Sequence, residues 1–341
     1  MKFLLSIFLI LIFLNSPLAQ IKDSSDLLFQ KGLEEKDKRL YMISFTDLRQ
    51  ALQYNPQNAG AQKELGLVCV ELHKYDQAIL AFNRLEELKK DDSTAIVNLG
   101  ILYFWTHQWE KAIAYANKAK GIHAGQHWNY VLGKSYYELE DYGHAFPNLQ
   151  AASKEDTSNA EIPYLIARAF VDMNNYKPAI GFYQKAISLD SSKVQWIYEC
   201  ALVYATIYDD KSAITYYELA GTKGYKKDND FYENLSDSYL ATGQLDHGLQ
   251  MMLQVLEKKP ADLDLLYSIA NTYYRLKKYD QAIDFWDRIL YYDKENARSL
   301  YMIGMSYQKK GQDEKGRQLC DRAIEMDPSL KNLKQQKRIE M

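Results

Sequence analysis

The chain has 341 residues, of which 47% are hydrophobic and 26% are charged, a composition typical of folded proteins. Its formal net charge is only −3. So small a charge offers no electrostatic basis for binding nucleic acid or an acidic membrane surface, which argues against both kinds of partner.

The N-terminal segment has the features of an export signal. Lys2 precedes an apolar run of twelve residues, Phe3 to Leu14, which is too short to span a bilayer as a helix. The small residue Ala19 suits a cleavage site, so residues 1–19 are predicted to be a signal peptide. Pro17 fits poorly at the third position before the cut, and an uncleaved membrane anchor is the alternative.

From residue 25 onward, a regular spacing of small residues organises the sequence. One set recurs every 33 to 35 residues, and a second set lies twelve residues after each member of the first. The first set is Gly32, Gly66, Gly100, Gly133, Ala167, Ala201, Ser236, Ala270 and Gly304, and the second is Ser44, Ala78, Ala112, Ala145, Ala179, Ala213, Gly248, Ala282 and Gly316. A fixed period of this length predicts a stacked array of nine repeats.

Each repeat is predicted to be a pair of antiparallel helices. In the third repeat, one helix face is formed by Ile96, Leu99, Gly100 and Tyr103, and a second face begins at Trp109 after a short polar turn. Two helices approach to about 8–10 Å where their side chains are small, which explains the two sets. In the fourth repeat, Pro147 falls inside the second helix. This helix is therefore expected to begin late, near His144, or to bend.

The residues around the small positions resemble the tetratricopeptide repeat family, whose pattern combines Leu-Gly, Tyr, Ala, an aromatic residue and Pro. The second repeat has Leu65-Gly66, Tyr75, Ala78 and Phe82, and the ninth has Ile303-Gly304, Tyr307, Ala323 and Pro328. The match covers residues 25–330, with repeats beginning near residues 25, 59, 93, 126, 160, 194, 229, 263 and 297. The resemblance implies an all-α solenoid in a right-handed superhelix over residues 20–330, with residues 331–341 as a short C-terminal capping helix or tail. Because one helix pair cannot bury its own apolar face, a single cooperative solenoid is expected rather than two domains.

No motif for catalysis occurs in the sequence. It has no glycine-rich phosphate loop, no dinucleotide-binding motif, no H-E-x-x-H and no C-x-x-C. His123 and His127 are four residues apart, but zinc needs three or four ligands, so neither a metal nor a cofactor is expected. Cys69, Cys200 and Cys320 occupy core positions and are expected to be free, buried thiols. The chain is therefore predicted not to be an enzyme.

A binding site is predicted in the groove that the family resemblance implies. In that family the first helices line a concave groove, and positions 2, 5, 9, 12 and 13 of each repeat face it. In repeats one to three many of these positions are apolar, which favours a binding surface. The candidate residues are Leu67, Val97, Ile101, Phe104, Trp105, His127, Tyr130, Lys134, Tyr164 and Arg168. The alternatives are that residues 20–26 cover the apolar strip or that the first repeat is shifted in register.

The junction of repeats three and four is the best single location for this site, because it carries Trp105, Trp109 and Trp128. Trp109 occupies an ordinary core position, whereas Trp105 replaces a usually polar groove residue. The sequence thus predicts a non-enzymatic scaffold or adaptor of the bacterial periplasm or cell envelope that binds peptides or proteins in its groove. The alternative is an envelope carbohydrate-binding module that stacks sugars on the same aromatic residues.

Overall fold

The computed structural model describes residues 17–124 and 127–331, with side chains from residue 24 onward. These residues form α-helices joined by short turns, with no β-strand among them, and one 3-10 helix at Pro328–Leu330. The α-helices are α1 Pro17–Asp37, α2 Tyr41–Tyr54, α3 Ala59–Glu71, α4 Tyr75–Leu88, α5 Ser93–Trp105, α6 Trp109–Gly121, α7 Trp128–Glu138, α8 Tyr142–Glu155, α9 Glu161–Asp172, α10 Tyr176–Leu189, α11 Val194–Thr206, α12 Asp210–Thr222, α13 Asn229–Ala241, α14 Leu245–Leu256, α15 Leu263–Arg275, α16 Tyr279–Tyr292, α17 Ala297–Lys309 and α18 Asp313–Met326. The predicted all-α array of nine helix pairs is confirmed, and the right-handed superhelix stays a prediction.

Several predictions fall wholly or partly on other residues. Residues 1–16 carry most of the predicted signal peptide, and residues 332–341 carry most of the predicted C-terminal cap. Both ranges lie outside the described residues. Helix α1 begins at Pro17, before the first repeat was expected to start, so residues 20–26 belong to a helix of the first pair.

Local sequence explains where many of the first helices begin. The Asp92 side chain accepts hydrogen bonds from the backbone N–H groups of Thr94 and Ala95, at 2.9 and 3.2 Å, at the start of α5. Asn or Asp caps α3, α13, α15 and α17 in the same way. Such a side chain satisfies N–H groups that have no partner within the helix, so each cap marks the beginning of a repeat.

The small residues lie where the two helices of a pair touch, as the period predicted. The Ser44 hydroxyl donates to the Gly32 carbonyl oxygen at 2.7 Å, and the Ser236 hydroxyl donates to the Gly248 carbonyl oxygen at 3.1 Å. A Cβ atom on Gly66 would lie 2.7 Å from the ring of Phe82. Larger side chains at these positions would push the helices apart.

The chain divides into two compact units, residues 1–169 and residues 170–341. In the first unit, buried residues of α2 to α6 form one core, and a second core surrounds Trp128 and Leu132. In the second unit, one core surrounds Trp286 of α16, and another surrounds Tyr301 and Cys320 near the last helix. Cooperative unfolding of the whole array stays a prediction.

Two further expectations concern single residues. All three cysteines are buried and free, which confirms the prediction for Cys69, Cys200 and Cys320. The expected late start of the second helix in repeat four was wrong, since α8 begins at Tyr142 and contains Pro147, and the alternative, a bend at this proline, stays a prediction. Asp141 caps this helix by accepting the His144 N–H at 3.1 Å. Pro147 removes the bond to the carbonyl of Gly143, an exposed residue whose carbonyl can bind water instead.

Candidate functional site

Trp105 is the last residue of α5 and lies at the surface. Its side chain is 50% exposed, whereas that of Tyr103, two residues earlier, is 4% exposed. The ring of Trp105 lies 5.6 Å from the ring of Tyr75, with 48° between the planes. Tyr75 is held in turn by His73, whose Nδ1 is 3.0 Å from the tyrosine hydroxyl. Trp105 and Tyr75 therefore pack on each other, and the ring of Trp105 stays half-exposed.

Phe104, the residue before Trp105, makes a second set of aromatic contacts. Its ring centroid lies 5.8 Å from that of Trp109 and 6.0 Å from that of Tyr130. The ammonium group of Lys134 lies 5.8 Å from the same ring, within the range of a cation–π contact. We name Tyr75, Phe104, Trp105, Trp109 and Tyr130 the aromatic cluster. Trp109, which was expected to be an ordinary core residue, is half-buried in this cluster.

A carboxylate fixes the polar groups beside the aromatic cluster. The Tyr130 hydroxyl donates to Glu161 Oε2 at 2.7 Å, and Lys134 Nζ donates to Glu161 Oε1 at 2.6 Å. Burial, followed by the hydrogen bond to Glu161, raises the pKa of Tyr130 far above its usual range. The hydroxyl therefore stays protonated, and α7 is tied to α9 by two hydrogen bonds.

Three of the other predicted groove residues contribute mainly to packing. Leu67 packs against the core of α2 to α6, and Val97 and Ile101 pack against the core around Trp128. Tyr164 and Arg168, two further predicted groove residues, contact each other, since Arg168 Nη1 donates to the Tyr164 hydroxyl at 3.2 Å.

His127 and Trp128 lie away from the aromatic cluster. His127 is exposed, has a left-handed backbone with φ of 65°, and lines a pocket with Lys120, His123 and Glu155 that includes no residue of the cluster. Trp128 is only 5% exposed, and its ring fills the space above Gly100, where a Cβ atom would meet it at 2.9 Å. Its indole N–H donates to the Ala124 carbonyl oxygen at 2.6 Å. Trp128 is therefore a core residue.

Sequence reasoning missed two residues that shape this surface. Glu161 occupies the second position of the fifth repeat, a groove position, so the repeat register was a sufficient signal for it. Tyr75 occupies a position where the family pattern places a core aromatic residue, and nothing in the sequence marks it as a neighbour of Trp105.

Two kinds of feature are absent from the described residues. Within residues 17–124 and 127–331, no group of three or more His, Cys, Asp or Glu side chains could hold a metal ion. In the same part of the chain, no helix is long and apolar enough to cross a membrane. The aromatic cluster can bury apolar side chains. Beside it, the charges of Lys134 and Glu161 offset each other.

Family models match most of the described chain. A tetratricopeptide repeat model matches residues 29–93 and 233–293, and a second one matches residues 297–330. A model described as anaphase-promoting complex, cyclosome, subunit 3 matches residues 105–186. A comparison with curated proteins gave no match.

Comparison with solved structures gave partial matches. YrrB, whose structure is described as a TPR protein with an unusual peptide-binding site, is 23% identical over 53% of this chain and 92% of its own, with a TM-score of 0.44. A structure of MamA is 16% identical over 51% of this chain and 94% of its own, with a TM-score of 0.42. MamA from Desulfovibrio magneticus RS-1 is 14% identical over 50% of this chain and 96% of its own, with a TM-score of 0.41.

Proposed function

Because this chain belongs to the tetratricopeptide repeat family, we propose that it is a non-enzymatic scaffold that binds peptides or proteins. The proposed binding site is the aromatic cluster of the first unit. The observation that carries the proposal is the half-exposed ring of Trp105 at a groove position, beside Tyr75. Exposed aromatic residues of this kind are typical anchors of protein interfaces.

The energy available from Trp105 is sufficient for such an anchor. An aromatic side chain buries roughly 150–250 Å² when fully enclosed. Half of that area, about 100 Å², is open on Trp105, and covering it at about 25 cal/mol per Å² contributes roughly 2.5 kcal/mol. This figure lies within the range of a hot-spot residue.

The geometry favours an apolar peptide side chain over a sugar. A sugar ring stacks flat on one aromatic face and needs free polar groups at its edge. Here the rings of Trp105 and Tyr75 are inclined at 48°, and Tyr130 and Lys134 are already bound to Glu161. A carbohydrate-binding module is therefore the weaker proposal.

The binding test compares Trp105→Ala with two control variants. Trp105→Ala is expected to weaken capture of the partner at least thirtyfold, about 2 kcal/mol, with little change in thermal stability. Tyr103→Ala removes a buried ring two residues away and should lower stability by about 3 kcal/mol or more. Tyr208→Ala removes a ring that is 89% exposed elsewhere and should leave binding unchanged.

Three outcomes would contradict the proposal. If Trp105→Ala lowers stability as much as Tyr103→Ala does, the role of Trp105 is packing. Equal loss of binding in Tyr208→Ala would show that the capture is nonspecific. If the captured molecule is a polysaccharide instead of a protein, the carbohydrate-binding function replaces the scaffold.

We also propose that the protein is exported and acts in the bacterial periplasm or cell envelope. The support is the sequence of residues 1–19, with Lys2 before the apolar run from Phe3 to Leu14 and Ala19 at the cut. Mass spectrometry of the protein from fractionated cells should identify Gln20 as the first residue. Retention of residues 1–19 in a membrane fraction would instead indicate an anchor, and a cytoplasmic location would refute export.

A further inference from the structure

A pocket of about 470 Å³ lies between α2 and α4, the second helices of repeats one and two. Its volume is within the range of small-molecule sites. We name it the arginine pocket, after Arg49 of α2 and Arg84 of α4. Helix α3 contributes Gln62, Leu65 and Cys69, the fourth, seventh and eleventh residues of repeat two. None of these three is a groove position, so this pocket is separate from the groove that the first helices line.

One part of the lining is apolar. Phe45, Leu52, Leu65 and Leu80 all line the pocket. Phe45 is only 7% exposed, whereas Leu80 is 69% exposed. The lining residues of α2 extend from Phe45 to Gln53, about 12 Å along the helix at about 1.5 Å per residue. A ligand with an apolar part of this length would therefore remove leucine surface from water.

The charge of the pocket is positive and uncompensated. Arg49 Cζ lies 5.4 Å from the centre of the Phe45 ring, and Lys74 Nζ lies 4.1 Å from it. Neither cation has an ion pair in the described part of the chain, whereas Arg84 Nη1 lies 2.5 Å from Glu87 Oε2. Among the described residues, no Asp or Glu lines the pocket. Two like charges held within about 10 Å of each other repel, and an anion bound beside them would relieve this repulsion.

The field of these cations reaches the interior of the pocket. Burial raises the pKa of the Cys69 thiol to about 11, and the charges of Lys74 and Arg49 act in the opposite direction by favouring the thiolate. Gln53 and Gln77 also line the pocket, and their amide N–H groups can donate to an anion. Negative charge is therefore favoured at a place where much of the lining is apolar.

We propose that the arginine pocket binds a medium-chain fatty acid, with its carboxylate on Arg49 and its chain along Leu52, Leu65 and Leu80. A guanidinium group can bind a carboxylate through two parallel hydrogen bonds. One chain of a membrane lipid spans about 15 Å, half of the hydrocarbon core, so a chain of about ten to twelve carbons suits a pocket of about 12 Å. This binding is distinct from the proposed scaffold function, since no residue of the aromatic cluster lines the pocket.

A helix of a partner protein fits the arginine pocket less well. It would contact the 12 Å of lining on α2 over only about two turns. A stable protein interface buries about 800 Å² on each partner, which two turns of helix do not supply. A small carboxylate needs no such area.

Isothermal titration calorimetry of the full chain tests the proposal with four probes, each below its critical micelle concentration. These are dodecanoate, decanoate, dodecyltrimethylammonium and dodecyl maltoside. Dodecanoate should bind most tightly. Decanoate lacks two CH₂ groups and should bind up to about fifteenfold more weakly, since burial of one CH₂ group changes affinity about fourfold. The cationic and neutral probes should bind at least tenfold more weakly than dodecanoate, and equal binding of dodecyltrimethylammonium would overturn the proposal.

Matched variants locate the binding. Arg49→Gln should weaken dodecanoate binding at least tenfold, Arg49→Lys should weaken it less, and Leu80→Ser should weaken it several-fold. Both side chains are exposed, so circular dichroism and the urea midpoint should be unchanged. Arg317→Gln removes an exposed arginine of α18 and should change affinity less than twofold. Trp105→Ala should also change it less than twofold, which separates this site from the scaffold function.

Two results with these variants would contradict the assignment. Unchanged affinity in Arg49→Gln would show that the carboxylate binds elsewhere. Equal loss of affinity in Arg317→Gln would show that dodecanoate binds arginine residues in general. A helical peptide of leucine and glutamate, titrated in the same way, represents the competing occupant. If this peptide binds and dodecanoate does not, the pocket is a protein interface and the fatty-acid proposal fails.

Discussion

Replacing Gly304 by alanine should test how closely the paired helices approach. A Cβ atom on Gly304 of α17 would lie 2.7 Å from the carbonyl oxygen of Gly316 in α18 and 2.7 Å from Cys320 Sγ. The contact is reciprocal, since a Cβ atom on Gly316 would lie 2.6 Å from the Gly304 carbonyl oxygen. Backbone atoms of two packed helices cannot move aside as the end of a flexible side chain can.

The expected effect is a loss of stability. Overpacking of a core costs about 1–3 kcal/mol, and backbone contact places Gly304→Ala near the upper end of that range. Alanine recovers about 1 kcal/mol through its higher helix propensity. The free energy of unfolding should therefore fall by about 2 kcal/mol.

Urea unfolding followed by circular dichroism measures this change, with Gly181→Ala as the matched control. Gly181 lies inside α10, and no atom lies within 4 Å of the position of its added Cβ. The same substitution there should raise stability by about 0.5–1 kcal/mol. If Gly304→Ala proves as stable as the parent chain, or if both variants change stability in the same direction, the argument from backbone contact is refuted.

Three further predictions concern single side chains. Burial raises the pKa of the Cys69 thiol to about 11 and that of Cys200 to about 12, so a disulfide reagent at pH 8 should leave both unlabelled until the chain is unfolded. Pro147→Ala should raise the free energy of unfolding by about 1–3 kcal/mol in urea titrations, because it restores the hydrogen bond to the Gly143 carbonyl at an exposed position; an unchanged midpoint would contradict this. The pKa of the Asp237 carboxyl is raised in the folded chain, so the protonated carboxyl favours folding at low pH. This stabilisation is lost as the pH rises through the folded-state pKa. Asp237→Asn should therefore be more stable than the parent chain at pH 7 and no more stable at pH 3, and equal stability at both would contradict the raised pKa.

The repeat register predicted some residues of the candidate site but not all of them. The repeat register placed Phe104, Trp105, Tyr130 and Lys134 at groove positions, and residues four apart, such as Tyr130 and Lys134, share a helix face. It placed Trp105 but not Trp128 at a groove position, which agrees with the half-exposed ring of Trp105 and the buried ring of Trp128. The difference comes from Gly100, which has no Cβ atom and leaves space for the ring of Trp128 on a neighbouring helix.

The sequence by itself determined the helix pairs and the points at which they touch. The period of 33 to 35 residues, with two small positions in each repeat, identifies where the two helices of a pair pack closely. These two helices are neighbours in the sequence, so a local pattern is enough to predict the contact. Only the tertiary structure decided which side chains meet across repeats. The contact of Trp105 with Tyr75 and the bonds of Glu161 to Tyr130 and Lys134 each join residues about 30 apart in the chain. Such contacts depend on side-chain direction and on the space left by neighbours, and a repeat pattern contains neither.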